Sequence, residues 1–252
     1  MSDQSSCGLE EPDELGRIRA VADWMLTGRC VLFDFDGPLC RLFPDGSSGP
    51  VAREAREIVD RAGAGSLLSE QDRDSIDPHV VLRAVDRARR GSRLVQRLDE
   101  EITLHEERAA VEAWPDFATP AADVLVKSLS KAGVRIAVTT NNSPSAAAVY
   151  LRLAGLAEYF GDHIYGRTGD PRLMKPHPDC LNRALDQLRA VPDDAVLIGD
   201  TVTDLHAARE AKVGFVGYAR NGRKAALLRA AGADPVVRDL ASLSDLIEAH
   251  SS

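Results

Sequence analysis

The chain has no apolar run near the ~20 residues that span a bilayer, and no zinc-binding spacing of the H-E-x-x-H or C-x-x-C kind. Its four cysteines, Cys7, Cys30, Cys40 and Cys180, are scattered, which points to reduced thiols in a cytoplasmic protein rather than a disulfide framework. The first residues, MSDQSSCGLEEPDE, lack the basic-then-apolar order of a secretory leader, so none is expected. A basic excess is missing too. With 31 Lys and Arg against 39 Asp and Glu the formal charge is -8, which argues against neutralising the phosphates of nucleic acid. Arg83, Arg87, Arg89, Arg90, Arg93 and Arg97 do gather, but Asp86, Asp99, Glu100 and Glu101 are interleaved with them, and the stretch reads as a solvated helical face. Neither a membrane nor a nucleic acid is expected as partner. Nothing in the sequence specifies the oligomeric state.

What is present has a clear order. After a tail over residues 1 to 12, expected to be disordered, Leu15, Ile18, Val21, Ala22 and Met25 show helical spacing, and RCVLFDFDG reads as a short buried strand. Three helical segments then follow with no strand between them: PVAREAREIVDRAG, PHVVLRAVDRARRG and RLVQRLDEEITLHEERAAVEAW. Beyond residue 115 helices alternate with short β-branched runs, VRIAVTT, a stretch near DHIYG, AVLIGD, VGFVGY and DPVVRD, which is the pattern of a parallel sheet flanked by helices. The predicted fold is α/β, a doubly wound, Rossmann-like parallel sheet over residues 13 to 40 and 115 to 252, with an inserted helical cap over 41 to 114.

In such sheets ligands bind outside the carboxyl ends of the strands, and polar residues stand at those exits here. Asp34 and Asp36, two apart on an extended segment, can face one pocket while Phe33 and Phe35 face the packing side. A lone D-x-D is more often simple turn chemistry, yet two carboxylates at a buried strand end repel, and something must offset that. A divalent cation does so economically, Mg²⁺ preferring oxygen ligands and retained waters. Asp200 in LIGDTVTD can add a further carboxylate. Thr201 and Asp204 have the spacing of a helix capping box, a role compatible with one beside a metal. Thr140 fits turn chemistry, with Ser143 as N-cap and Pro144 first in the helix. Lys175, one of only five lysines, sits in the proline-stiffened LMKPHPD, where solubilising charge is a less complete explanation.

The ordered set, D-x-D-G after the first strand, Thr-Asn after a later one, a Lys-Pro loop and then G-D-x-x-x-D, resembles the haloacid dehalogenase superfamily over about residues 29 to 240, specifically its phosphoglycolate phosphatase-like hydrolases with a helical cap of the C1 type. The resemblance implies that Asp34 is the nucleophile and Asp36 the general acid and base. Thr140 and Lys175 would hold the transferring phosphoryl group. Mg²⁺ would be held by Asp34, the Asp36 backbone carbonyl, Asp200 and, through water, Asp204, with Asn141 and Gly37 beside the substrate. The implied activity is a Mg²⁺-dependent phosphatase acting on a small phosphorylated metabolite, phosphoglycolate or a sugar phosphate, through an aspartyl-phosphate.

A β-phosphoglucomutase-like phosphosugar mutase would share every core residue, and a catalytically silent binding module is a further alternative. The second aspartate, Asp36, points away from carbon–halogen chemistry. Pro38, Leu39, Cys40 and Arg41 depart from the family's usual continuation; Pro38 removes a hydroxyl and a backbone N–H. Arg41 is placed either to reach a substrate anion or, as is expected, to pair with a nearby carboxylate, and Cys40 is expected to be a packed small residue near the hinge. Arg53, Arg56 and His79 are candidate readers of the leaving group, although exposed helix positions are their commoner use.

Overall fold

The computed structural model describes residues 14–250; the expected tail over residues 1 to 12 lies outside them. Helix α1 (Glu14–Gly28) leads into β1 (Cys30–Phe33). The helices α2 (Ser48–Arg61), α3 (Glu70–Asp74), α4 (Pro78–Ala88) and α5 (Arg93–Ala113) follow without a strand. Then the alternation begins: α6 (Ala122–Lys131), β2 (Arg135–Thr139), α7 (Pro144–Leu153), α8 (Ala157–Phe160), β3 (Ile164–Tyr165), α9 (Asp179–Leu188) and β4 (Ala195–Gly199). It closes with α10 (Val202–Ala211), β5 (Gly214–Tyr218), α11 (Gly222–Ala230), β6 (Val236–Val237) and α12 (Ala241–His250).

The strands form one sheet in the order β3-β2-β1-β4-β5-β6, every pairing parallel. Central β1 has no polar side chain and is buried throughout, as a strand covered on both faces must be. Its alternation divides the core. Val31 and Phe33 join the layer made by α1, α6, α7 and α12, whereas Cys30 and Leu32 join that of α9, α10 and α11. The winding reverses between β1 and β4, which creates the crevice where doubly wound sheets take their ligands.

The helices between β1 and β2 gather an apolar cluster of their own around Ile58, Val59, Val81, Leu82, Leu98 and Ile102. Met174, from the loop before α9, is buried in that same cluster. The chain enters and leaves this insert side by side, in an isolated antiparallel bridge between Cys40 and Ala118: Arg41 N donates to Phe117 O at 2.8 Å and Thr119 N to Leu39 O at 3.1 Å. The return crossing therefore lies a few residues beyond 114, and the last turns of α5, at Ala109, Ala110 and Ala113, already belong to the sheet-side core. Among the described residues no helix is long and apolar enough to cross a membrane.

One expectation is corrected. The arginine-rich stretch is not wholly a solvated face: Asp86 is 2% exposed, and Arg83 reaches inward to donate to Lys175 O at 2.6 Å. The interleaving of opposite charges hid the fact that α4 packs one side against the Lys175 loop.

Candidate active site

The parallel register sets Phe33 beside Ile198, so the exits of β1 and β4 emerge side by side. Asp34 N continues the ladder, donating to Ile198 O at 2.9 Å. Phe33 and Phe35 both enter the packed layer, Phe35 edge-on to Tyr150 at 5.5 Å, which leaves Asp34 to the crevice. Gly37 follows with φ +132°, and a Cβ there would strike the Asp200 carboxylate. This glycine is what lets the two loops approach.

Lys175 is the hub of the crevice. Its ammonium, 1% exposed, reaches Asp34 Oδ1 at 2.9 Å and Asp204 Oδ1 at 2.6 Å. Burial alone would lower its pKa, but Asp204 and Asp34 hold it above the ordinary lysine range. Asp34 is lifted to about 7 by burial, reinforced by Asp204 and opposed by Lys175. Asp36 accepts from Leu42 N at 2.9 Å, and burial still raises its pKa despite that bond. Thr140 Oγ1 donates to Asn142 Oδ1 and accepts from Asn142 N, both at 3.1 Å.

Asp34, Asp200 and Asp204 each offer a carboxylate oxygen within 4.8 Å of the others. Whether this cluster suits a cation can be read from Asp200 Oδ1, which is buried and has no hydrogen-bond partner. A hard divalent cation of the Mg²⁺ kind would satisfy that atom, and an all-oxygen donor set is the one it prefers. Asp204 has less to offer, since Oδ2 accepts from Asp200 N, Thr201 N and Thr201 Oγ1 and completes the α10 capping box, while Oδ1 holds Lys175. The Asp36 carboxylate lies outside the three-residue cluster, so only its backbone carbonyl remains for the ligand role expected of it.

Two expected substrate contacts are otherwise engaged. Gly37 N donates to Cys40 O at 2.6 Å. Asn141 clamps the lysine loop, Oδ1 accepting from Lys175 N at 2.6 Å and Nδ2 donating to Lys175 O at 3.1 Å. Arg41 pairs with Asp45 at 2.9 Å and Cys40 is fully buried, both as expected. Thr119 Oγ1 donates to Gly37 O at 2.6 Å, a support for the loop that carries Pro38.

Asp34, Asp36, Thr140, Asn141 and Lys175 line a cavity of about 270 Å³, and the insert closes it with Ser48, Asp77, Pro78 and His79. His79 is therefore not an exposed helix residue. Its Nε2 bonds Glu106 Oε1 at 2.8 Å, and Glu106, fully buried, also accepts from Asn142 Nδ2 at 3.0 Å, Ser143 N at 2.8 Å and Arg167 Nη1 at 2.9 Å. Arg167 further holds Asp99 at 2.5 Å and Thr103 Oγ1 at 3.0 Å. Burial would raise the Glu106 pKa, but Arg167 and His79 bring it down to about 2. Ser48, Asp77, Glu106, Arg167 and Lys224, which pairs with Asp200, are absent from the sequence-derived set; only Asp77, an N-cap before proline, has a local signal.

Residues 29–212 match the family model of haloacid dehalogenase-like hydrolases. A phosphoglycolate phosphatase of Cupriavidus necator is 29% identical over 86% of this chain and 92% of its own. The pyrophosphatase PpaX of Halalkalibacterium halodurans is 30% identical over 48% of this chain and 56% of its own. Among solved structures, a haloacid dehalogenase family hydrolase from Deinococcus radiodurans, described with bound phosphate and sodium, is 26% identical with a TM-score of 0.54, covering 88% of this chain and 96% of that one.

Proposed function

The chain belongs to the haloacid dehalogenase-like hydrolases, and on that premise we propose that it is a Mg²⁺-dependent phosphatase that transfers the phosphoryl group of a small phosphomonoester to Asp34 and then to water. The observation that carries this reading is the junction of Lys175 with both Asp34 and Asp204, beside a buried Asp200 oxygen that lacks a partner.

A carboxylate approaching a phosphate meets repulsion of about 4 kcal/mol per unit-charge pair at 4 Å and an effective dielectric near 20. When bound, the cation would be held by Asp34, the Asp36 carbonyl and Asp200, and would supply charge that offsets this repulsion and stabilises the phosphoryl oxygens. Lys175 supplies a further positive charge from the opposite loop, with Thr140 beside it at the β2 exit. Asp34 Oδ attacks phosphorus as the bond to the leaving oxygen breaks, giving an aspartyl-phosphate. Asp36, whose raised pKa favours its protonated form, gives that leaving oxygen its proton. It then takes a proton from the water that attacks the aspartyl-phosphate, which returns Asp34 and releases phosphate.

With a phosphoglycolate phosphatase aligned along 92% of its own length, we take the substrate to be of the phosphoglycolate class. Phosphate release from phosphoglycolate, sugar phosphates and pyrophosphate, with Mg²⁺ and with chelator, tests it. Chelator-sensitive release from a small phosphomonoester is expected; no release from any of them would reject the reading.

A further inference from the structure

We propose that Lys224 is a positioning residue that competes with the divalent cation for Asp200 and so sets the affinity of the site for it. The inference rests on the cation-dependent reading above, but concerns a residue that reading does not use.

Lys224 Nζ pairs with Asp200 Oδ2, while Oδ1 of the same carboxylate is the buried atom without a partner. Lys224 is anchored at its backbone. Its backbone N–H is fixed in the first turn of α11 by Asn221 Oδ1 at 2.9 Å, and its side chain lines a second cavity, of about 550 Å³, together with Asp36, Gly37 and Asp200. A Cβ at Gly37 would strike the same Asp200 carboxylate. The carboxylate is thus packed against the Gly37 backbone and paired with an ammonium, with one oxygen engaged and one left over.

Charge makes the consequence specific. The innermost carboxylates, Asp34, Asp36, Asp200 and Asp204, face two buried or half-buried ammonium groups, Lys175 and Lys224. With Asp36 protonated, as its role as acid requires, the ionised forms of the others leave one negative charge with Lys224 in place and two without it. With the ion, Asp200 is shared between two cations that repel, so Lys224 weakens ion binding while stabilising the ion-free fold. Losing Lys224 should do the opposite on both counts.

Mn²⁺, an oxygen-preferring stand-in for Mg²⁺, is titrated into the full chain and its free concentration followed by electron paramagnetic resonance. The Lys224→Met variant is expected to bind Mn²⁺ at least about tenfold more tightly than the wild type, and Lys224→Arg, which keeps the charge, within about twofold of it. In chelator the Lys224→Met chain is expected to melt below the wild type, and Mn²⁺ to close the gap. Should Lys224→Met fail to fold, Lys224→Gln carries the same expectation. A folded Lys224→Met or Lys224→Gln with unchanged or weaker Mn²⁺ affinity overturns the inference alone. A wild type that binds no Mn²⁺ overturns the cation-dependent reading, and this inference with it.

Discussion

Asp36 is asked to give a proton and then to take one, and its burial beside a single N–H donor suits a carboxyl that spends part of the cycle protonated. Asp36→Asn removes both transfers. In kcat/KM, which reports the steps through attack by Asp34, the loss should be about 10²–10⁴-fold for an alkyl phosphate and clearly smaller for p-nitrophenyl phosphate, whose leaving group needs little protonation. Equal losses for the two would remove the general acid from Asp36. Glu106 acts at the same scale but on stability. Because its folded pKa of about 2 lies below the ordinary 4.5, its contribution is complete above pH 4.5 and is lost as the pH falls toward 2. Glu106→Gln leaves Arg167 buried without its main partner and should cost about 3–5 kcal/mol, measured by denaturant unfolding at neutral pH. The gap from wild type should shrink between pH 4.5 and 2; a gap that stays constant there would contradict this account of Glu106.

Between elements, the most consequential contact is the one joining the insert to the Lys175 loop. Met174 fills the insert's own apolar cluster, Arg83 of α4 holds Lys175 O, and Asn141 at the β2 exit holds both backbone groups of Lys175. The insert therefore positions a residue of the reaction as well as covering it. Met174→Ala should lower stability by about 2–5 kcal/mol and reduce kcat, read by unfolding and by steady-state kinetics; an unchanged kcat in a destabilised variant would separate the insert from the lysine. The long helices of the insert were legible from apolar spacing, and the strands from their short apolar runs, whereas the short helices α3 and α8 were not singled out. What the legible elements pack against could not be read. Periodicity shows that α4 has an apolar face, but Arg83 and Asp86 read as solvent charges until the loop packed against them is known.

At the scale of the whole molecule, the winding of the sheet explains which half of the site could be read in advance. Asp34, Asp36, Thr140, Lys175, Asp200 and Asp204 follow short strands whose carboxyl ends share one edge, so local motifs and the strand order together bring them near one crevice. Glu106 and Arg167 are 61 residues apart, and Lys224 sits one helix beyond the last motif. No spacing links such residues, because their meeting is a product of tertiary packing alone. What the convergence is for can be asked directly. The chain is mixed with phosphoglycolate and Mg²⁺, quenched in acid at short times, and the peptide spanning β1 is examined by mass spectrometry. One phosphoryl group on Asp34, absent when chelator replaces Mg²⁺ and absent from Asp34→Asn, is expected; phosphate release that continues in Asp34→Asn, with no label at Asp34 in the wild type, would contradict it.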